Sequence, residues 1–204
     1  MEGKIIAVVG APASGKSFVV KKLKEYFNAE AFFEGEVETL PKRIIENLSQ
    51  KTRNFETIMW FRNQRVRDFL EAEKLKKKGK NVILDTFWIT NQLYINSMLQ
   101  GFEKELAEQV GGMDNEIMPR PDLIIFLQID EKNIREFIKQ RGREFDQNEE
   151  FIQRILSVNK EHEDFFKKNK FENVLFIRRD EMDFRREEDF QELIRRIKAE
   201  LSEK

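Results

Sequence analysis

Residues 10–17 read Gly10-Ala11-Pro12-Ala13-Ser14-Gly15-Lys16-Ser17, the pattern G-x-x-x-x-G-K-[ST]. This spacing suits a chain that grips phosphate. Glycines let the loop curl until consecutive backbone N–H groups point inward at phosphate oxygens. A helix starting near Lys16 adds the positive end of its dipole. Lys16 then reaches the β- and γ-phosphates of a nucleotide, and the Ser17 hydroxyl holds Mg²⁺. The expected nucleotide contacts are Gly10, Ala11, Ala13, Ser14, Gly15, Lys16 and Ser17, with ATP and Mg²⁺ as cofactors. Four fixed positions arise by chance in about one chain in a hundred of this length. Here they also fall between a strand pattern and a helix pattern.

Magnesium needs a further anchor, usually an acid at the C-terminal end of a neighbouring strand. Asp85, which closes the run NVILD, is the best candidate for metal and substrate contacts. Asp130, after LIIFLQ, fits better as the cap of the helix that follows. Transfer of a phosphoryl group also requires positive charge on the moving oxygens. Arg141 and Arg143, in a charged break just past a helix pattern, are placed to close over the phosphates, with Lys139 nearby. The alternative for them is a solvated basic turn.

The elements that must position these groups alternate. Apolar strand runs are read at 4–9, 31–33, 81–85, 123–128 and 173–177. Helical periodicity is read at 16–27, 39–48, 55–78, 90–110, 131–140, 148–168 and 187–201, with Gly111-Gly112 and Pro119–Pro121 punctuating a loop. Near-continuous apolar strands between helices imply a parallel sheet covered on both faces. We expect one domain over 1–204 with a lid segment near 140–147.

Composition excludes several classes. The 204 residues carry 37 Lys plus Arg against 38 Asp plus Glu, a net charge of −1, so a general electrostatic hold on nucleic acid is not expected. There is no cysteine and a single histidine, which removes disulfides, thiol nucleophiles and multi-histidine metal sites. No apolar run approaches a membrane span and no signal peptide is read, so the expected location is cytoplasmic. Dense Lys, Glu and Arg without Cys fits a heat-adapted source. His162 reads as an exposed or half-buried structural residue. The 19 phenylalanines read as core, the pairs Glu149-Glu150 and Glu187-Glu188 as helix starts, and Lys74–Lys80 as a helix end complementing the dipole.

Taken together, the phosphate loop, the acid after the second strand, NVILD, PDLIIFL and RGREFD resemble the deoxynucleoside kinases, especially the bacterial-type deoxyadenosine/deoxyguanosine kinases. The likeness covers most of the chain and is most specific over residues 121–146. The resemblance implies an α/β fold of the three-layer P-loop NTPase type. It has a five-stranded parallel sheet in the order 2-3-1-4-5, helices on both faces and an arginine lid, and its members are usually dimers. It implies that Glu34, in FFEGEV, takes the proton from the acceptor's 5′-hydroxyl. A carboxylate at the C-terminal edge of the sheet is placed for that, and Glu36 and Glu38 compete for the role. Arg141 and Arg143 become lid arginines, and Asp146 the lid acid. Residues 174–197 resemble the last strand, adenine-side loop and final helix, which puts Asp183 and Phe184 beside ATP.

The departures fall on the acceptor side. Gly35 replaces the proline after the base, and Thr86 and Phe87 replace an arginine and a serine after Asp85. Phe137 stands at the first lid arginine. The position that reads the base holds Trp60, with Gln64 one turn away, and its acid partner falls near Asn91. Arg67 matches the family's arginine in that helix. Trp60, Gln64, Arg67, Trp88 and Asn91, with Asp85, are therefore the candidate acceptor contacts. Both tryptophans also fit as packing residues. The expected function is ATP- and Mg-dependent phosphorylation of a nucleoside-like hydroxyl. Two alternatives are kept. One is a thymidylate-type nucleoside-monophosphate kinase using Arg65 or Arg67 for the acceptor phosphate. The other is an ATP-binding switch without an acceptor. A 5′-hydroxyl polynucleotide kinase also has this loop, but near-neutral charge argues against it.

Overall fold

The computed structural model describes residues 2–34, 39–142, 148–169 and 171–202, with the side chain of Arg141 outside that set. Five strands build one parallel sheet in the order β2-β3-β1-β4-β5. They are β1 (Ile5–Val9), β2 (Glu30–Phe32), β3 (Val82–Asp85), β4 (Leu123–Gln128) and β5 (Val174–Arg178). β1 sits between β3, with Val8 beside Asp85, and β4, with Val9 beside Phe126. Its sequence IIAVV is buried at all five positions, as a strand covered on both faces requires. β2 and β5 form the edges and are only half-buried.

Among the described residues, eight α-helices surround the sheet. They are α1 (Lys16–Tyr26), α2 (Lys42–Gln50), α3 (Asn54–Lys77), α4 (Asn91–Met98), α5 (Gly101–Ile117), α6 (Glu131–Arg141), α7 (Glu149–Lys168) and α8 (Glu187–Ser202). Alternation along the strands divides the core. Ile6, Val8, Ile125 and Leu127 face α1 and α8 through Val20, Leu23, Leu193 and Ile197. Ile5, Ala7, Val9 and Phe126 face the other way, toward Phe69 of α3 and Phe166 of α7. Burying each such side chain stabilises the fold by about 1.5–3 kcal/mol. The result is three layers, as expected from the resemblance, with the loops at the C-terminal edge of the sheet left to form the site.

The structure corrects several sequence readings. The helix read at 90–110 is two helices. Leu99 and Gln100 are extended between α4 and α5, and Gly101 takes the left-handed φ of 55°. Gly111-Gly112 lie inside α5, because the amphipathic pattern on either side outweighs the propensity cost of two glycines. α2 starts at Lys42, after Pro41, whose ring blocks a helix from running through it. His162 is fully buried, with its ring stacked 6.4 Å from Phe126 and its Nδ1 hydrogen-bonded to the Val158 carbonyl at 2.7 Å. Burial pushes its pKa down to about 3, helped by Lys16 and Arg65 and opposed by the Val158 carbonyl. Lys76 and Lys80 of the basic run pair with Asp122 and Glu30. Asp130 caps α6, accepting from the Asn133 amide at 2.7 Å. Among the described residues no helix is long and apolar enough to cross a membrane.

Candidate active site

The loop between β1 and α1 owes its shape to three backbone conformations. Gly10 has φ +154°, and a Cβ there would come within 2.8 Å of both the Leu127 carbonyl oxygen and Ser14 Oγ. Ala13 at φ 68° and Gly15 at φ 86° are left-handed. Ala13 has a Cβ in that region, a strain of roughly 1–3 kcal/mol stored where the loop must curl. Gly15 gives α1 no side-chain cap, and the first turn holds no acid. The leading N–H groups of α1 and the positive end of its dipole are therefore left for an anion. Lys16 arches back, its Nζ donating to the carbonyls of Gly10 at 3.0 Å and Ala11 at 3.2 Å.

Ser17 and Asp85 meet beside this loop, the hydroxyl donating to Oδ2 at 2.7 Å. Asp85 is buried. Burial and Glu34 push its pKa up, while Lys16, Ser17 and Arg65 pull it down. Its Oδ1 has no partner among the described residues. That orphaned oxygen and the adjoining hydroxyl are the donor set that Mg²⁺ takes from a protein when phosphates and water supply the rest. Among the described residues no group of three or more acids or histidines forms a ready-made metal cage. Ser17 and Asp85 thus fit one magnesium ion shared with a nucleotide.

Glu34, two residues past β2, is held by Arg65 of α3, whose Nε donates to it at 2.8 Å and whose Nη2 also contacts it. Arg65 is buried, lies 5.0 Å from the Tyr94 ring and donates to Asn91 Oδ1 at 3.4 Å. The Glu34–Arg65 pair forms part of the wall of two cavities. One, of about 310 Å³, lies between α2, α3, α4 and α7 and also touches Pro12 of the phosphate loop. The other, of about 210 Å³, is bordered by Phe33, Trp60, Gln64, Arg67 and Asp85.

The sequence candidates divide accordingly. Asn91 opens on the larger of these two cavities, and its Nδ2 has no partner among the described residues. Trp60 and Gln64 border the smaller one, with Trp60 edge-on to Phe61 at 4.9 Å. Arg67 points outward and pairs with Asp68, so Arg65 is the arginine that grips the acid. Trp88 is a packing residue: it is buried edge-on to Phe87, and its indole N–H donates to the Pro119 carbonyl at 3.0 Å. It borders a separate groove of about 940 Å³ that no phosphate-loop residue reaches. Phe184 is fully buried in the core, and Asp183 is ion-paired to Arg185, which holds its carboxyl down at about 2. The Phe184 ring is thus turned into the core, while the Asp183 side chain stays partly exposed. Arg143, Glu36, Glu38, Asp146 and the side chain of Arg141 lie outside the described residues. Phe137 packs with Ala13 of the loop.

Sequence reasoning missed Arg179. It directly follows β5, its Nε donates to the Ser14 carbonyl at 3.2 Å, and its guanidinium lies 4.5 Å from the Phe184 ring. It buttresses the phosphate loop from the side where the candidates Asp183 and Phe184 were sought. The available signal was a pair of arginines at the C-terminal edge of the sheet. Arg154 of α7, in the wall of the 310 Å³ cavity, was also missed.

Comparison with known proteins agrees with this geometry. A family model described as an AAA domain matches residues 5–164. A Methanococcus vannielii protein named "Probable thymidylate kinase" is 28% identical over 153 residues, 74% of each chain. The deoxyadenosine kinase of M. mycoides, solved with the products dCMP and a flexible dCDP bound, superposes with a TM-score of 0.79 at 19% identity, covering 96% of this chain and 99% of that one. The thymidylate kinase of Candida albicans gives a TM-score of 0.67 at 21% identity, over 87% and 84% of the two chains. These structures share the fold of this chain.

Proposed function

The chain belongs to the AAA domain family, and on that premise we propose that it is an ATP- and Mg²⁺-dependent kinase that phosphorylates the 5′-hydroxyl of a (deoxy)nucleoside-like acceptor. The observation that carries this reading is the 310 Å³ cavity whose wall includes both Pro12 of the phosphate loop and the Arg65-held carboxylate of Glu34. A base, a donor loop and a chamber of nucleoside size thus meet at one edge of the sheet. Kinship with a named thymidylate kinase and the fold of deoxyadenosine kinases support the same reaction class.

In this reading the loop amides and the α1 N-terminus hold the triphosphate, and Lys16 swings from the Gly10 and Ala11 carbonyls to the β- and γ-phosphates. Ser17 and Asp85 hold the metal, which when bound neutralises charge on the phosphate oxygens. Arg65 fixes the Glu34 carboxylate so that it accepts the hydroxyl proton as the oxygen attacks phosphorus. Arg141 and Arg143 remain the proposed lid cations. Trp60, Gln64 and Asn91 remain the proposed base contacts, on opposite sides of the Glu34–Arg65 pair.

The thymidylate-type alternative draws on the Methanococcus vannielii relative. Arg65 and Arg67, the arginines considered for its acceptor phosphate, pair with Glu34 and Asp68 and would have to exchange those carboxylates for it. The test is ADP release from Mg-ATP across a panel of nucleosides and nucleoside monophosphates, with Lys16→Ala as the control. Acceptor-dependent ADP that disappears in the variant supports the kinase. No acceptor-dependent ADP from the native chain overturns it.

A further inference from the structure

The 310 Å³ cavity has two unlike ends. Asn91 and Met98, both in its wall, are seven residues apart on α4, about 10 Å along the helix. At the Asn91 end Arg65 is closed onto Glu34. At the Met98 end stands Arg154, half-buried. Its one hydrogen bond among the described residues runs from Nη2 to the Met98 thioether at 2.7 Å. A thioether is a weak acceptor and offers a guanidinium no compensating charge. Burial pulls the Arg154 pKa down, and Tyr94 and Glu150 offset only part of this. Glu150, one turn earlier on α7, is itself ion-paired to Lys51.

The remaining lining sharpens the imbalance. Glu34 is the only carboxylate among the described residues of the wall, and Arg65 already holds it. Asn91 Nδ2 is a buried donor with no partner among the described residues. Among the described residues the chamber therefore offers cationic and amide donors and no free carboxylate to meet them. A half-buried arginine with no carboxylate of its own is only partly compensated for lost hydration, and an oxyanion in a charge-assisted pair with it restores that loss.

We infer that Arg154 seats an anionic group of the acceptor, a phosphate or carboxylate carried at the end of the molecule away from the reacting hydroxyl. The inference rests on the cavity being the acceptor site of the proposed kinase. Arg154 thereby determines specificity: an uncharged nucleoside leaves its guanidinium unpaired, and a nucleoside bearing a distal anion pairs it. This differs from a monophosphate acceptor, in which the anion itself is the reacting end and lies beside Lys16.

The test compares matched pairs of acceptors in the full chain with Mg-ATP. The 2′-deoxynucleosides are set against their 3′-monophosphates, which keep the 5′-hydroxyl free. 2′-Deoxyuridine is set against 5-carboxy-2′-deoxyuridine, so that the two arms separate phosphate from carboxylate. The anionic member of at least one pair is expected to have a KM at least tenfold lower. Arg154→Gln should close that gap without moving the KM for ATP, and Arg154→Lys should restore part of it. Equal KM values in every pair, or a gap that survives Arg154→Gln, overturn the inference. Calorimetric titration of the 3′-monophosphates and 5-carboxy-2′-deoxyuridine into ATP-free protein gives a readout independent of turnover. If no acceptor is phosphorylated, the kinase reading fails. Binding that Arg154→Gln abolishes then still supports the anion seat, and binding that it leaves unchanged, or no binding to the native chain, refutes it.

Discussion

The phosphate loop and the 310 Å³ cavity proposed for the acceptor adjoin at Pro12, and they are made of different material. The loop is backbone. Gly10, Ala13 and Gly15 set three positive φ angles, and the ligands they prepare are amides and a helix terminus. The cavity is side chain. Arg65, Asn91, Tyr94 and Arg154 come from α3, α4 and α7, and their positions depend on how those helices pack. Among the described residues, buried polar atoms without a partner occur in both, Ser14 Oγ and Asp85 Oδ1 at the loop and Asn91 Nδ2 in the cavity. Such atoms are rare in folded proteins and mark places built for something else to bind. On the proposed reading, the backbone half would serve any triphosphate and the side-chain half would carry the selectivity.

Substitutions can break this comparison in graded steps. Lys16→Ala removes the charge that follows the phosphoryl group and should slow transfer on the order of 10³-fold, read as single-turnover ADP formation. A fall of less than tenfold would mean that the backbone alone suffices. Glu34→Gln should lower kcat by about 10²-fold or more and leave ATP affinity within twofold, because the base lies on the acceptor side. An unchanged kcat would move the base to Glu36 or Glu38.

A third prediction concerns the core beneath both halves. His162 in the folded chain titrates at about 3, below the ordinary value of 6.5, so the unfolded chain binds the extra proton first as pH falls. Its contribution is complete above pH 6.5 and is lost progressively between there and about pH 3. Urea unfolding at pH 7 and pH 4.5 should show a loss of up to about 3 kcal/mol in the native chain that His162→Phe lacks. Parallel pH slopes for the two proteins would refute it. The smallest effect is expected for Arg67→Ala. Its side chain is exposed and pairs with an immediate neighbour, so both stability and KM should stay within about 0.5 kcal/mol of the native values. A large loss there would return Arg67 to the acceptor site.

The residue order alone determined the parts that depend on local chemistry. The run from Gly10 to Ser17 required a curled loop, IIAVV and LIIFLQ required strands buried on both faces, and Asp130 capped its helix. Each of these is decided within a few residues, by φ freedom, by period or by one side chain reaching one amide. The choice of Arg65 over Arg67 was not decided that way. The two sit on one helix two residues apart, and only the seating of α3 against β3 and α4 turns the first toward Glu34 and the second to solvent. The burial of Phe184 and Trp88, the buttress at Arg179 and the Arg154 guanidinium, which has no carboxylate partner among the described residues, have the same origin. Such positions depend on distant segments meeting in space, so no window of sequence contains them.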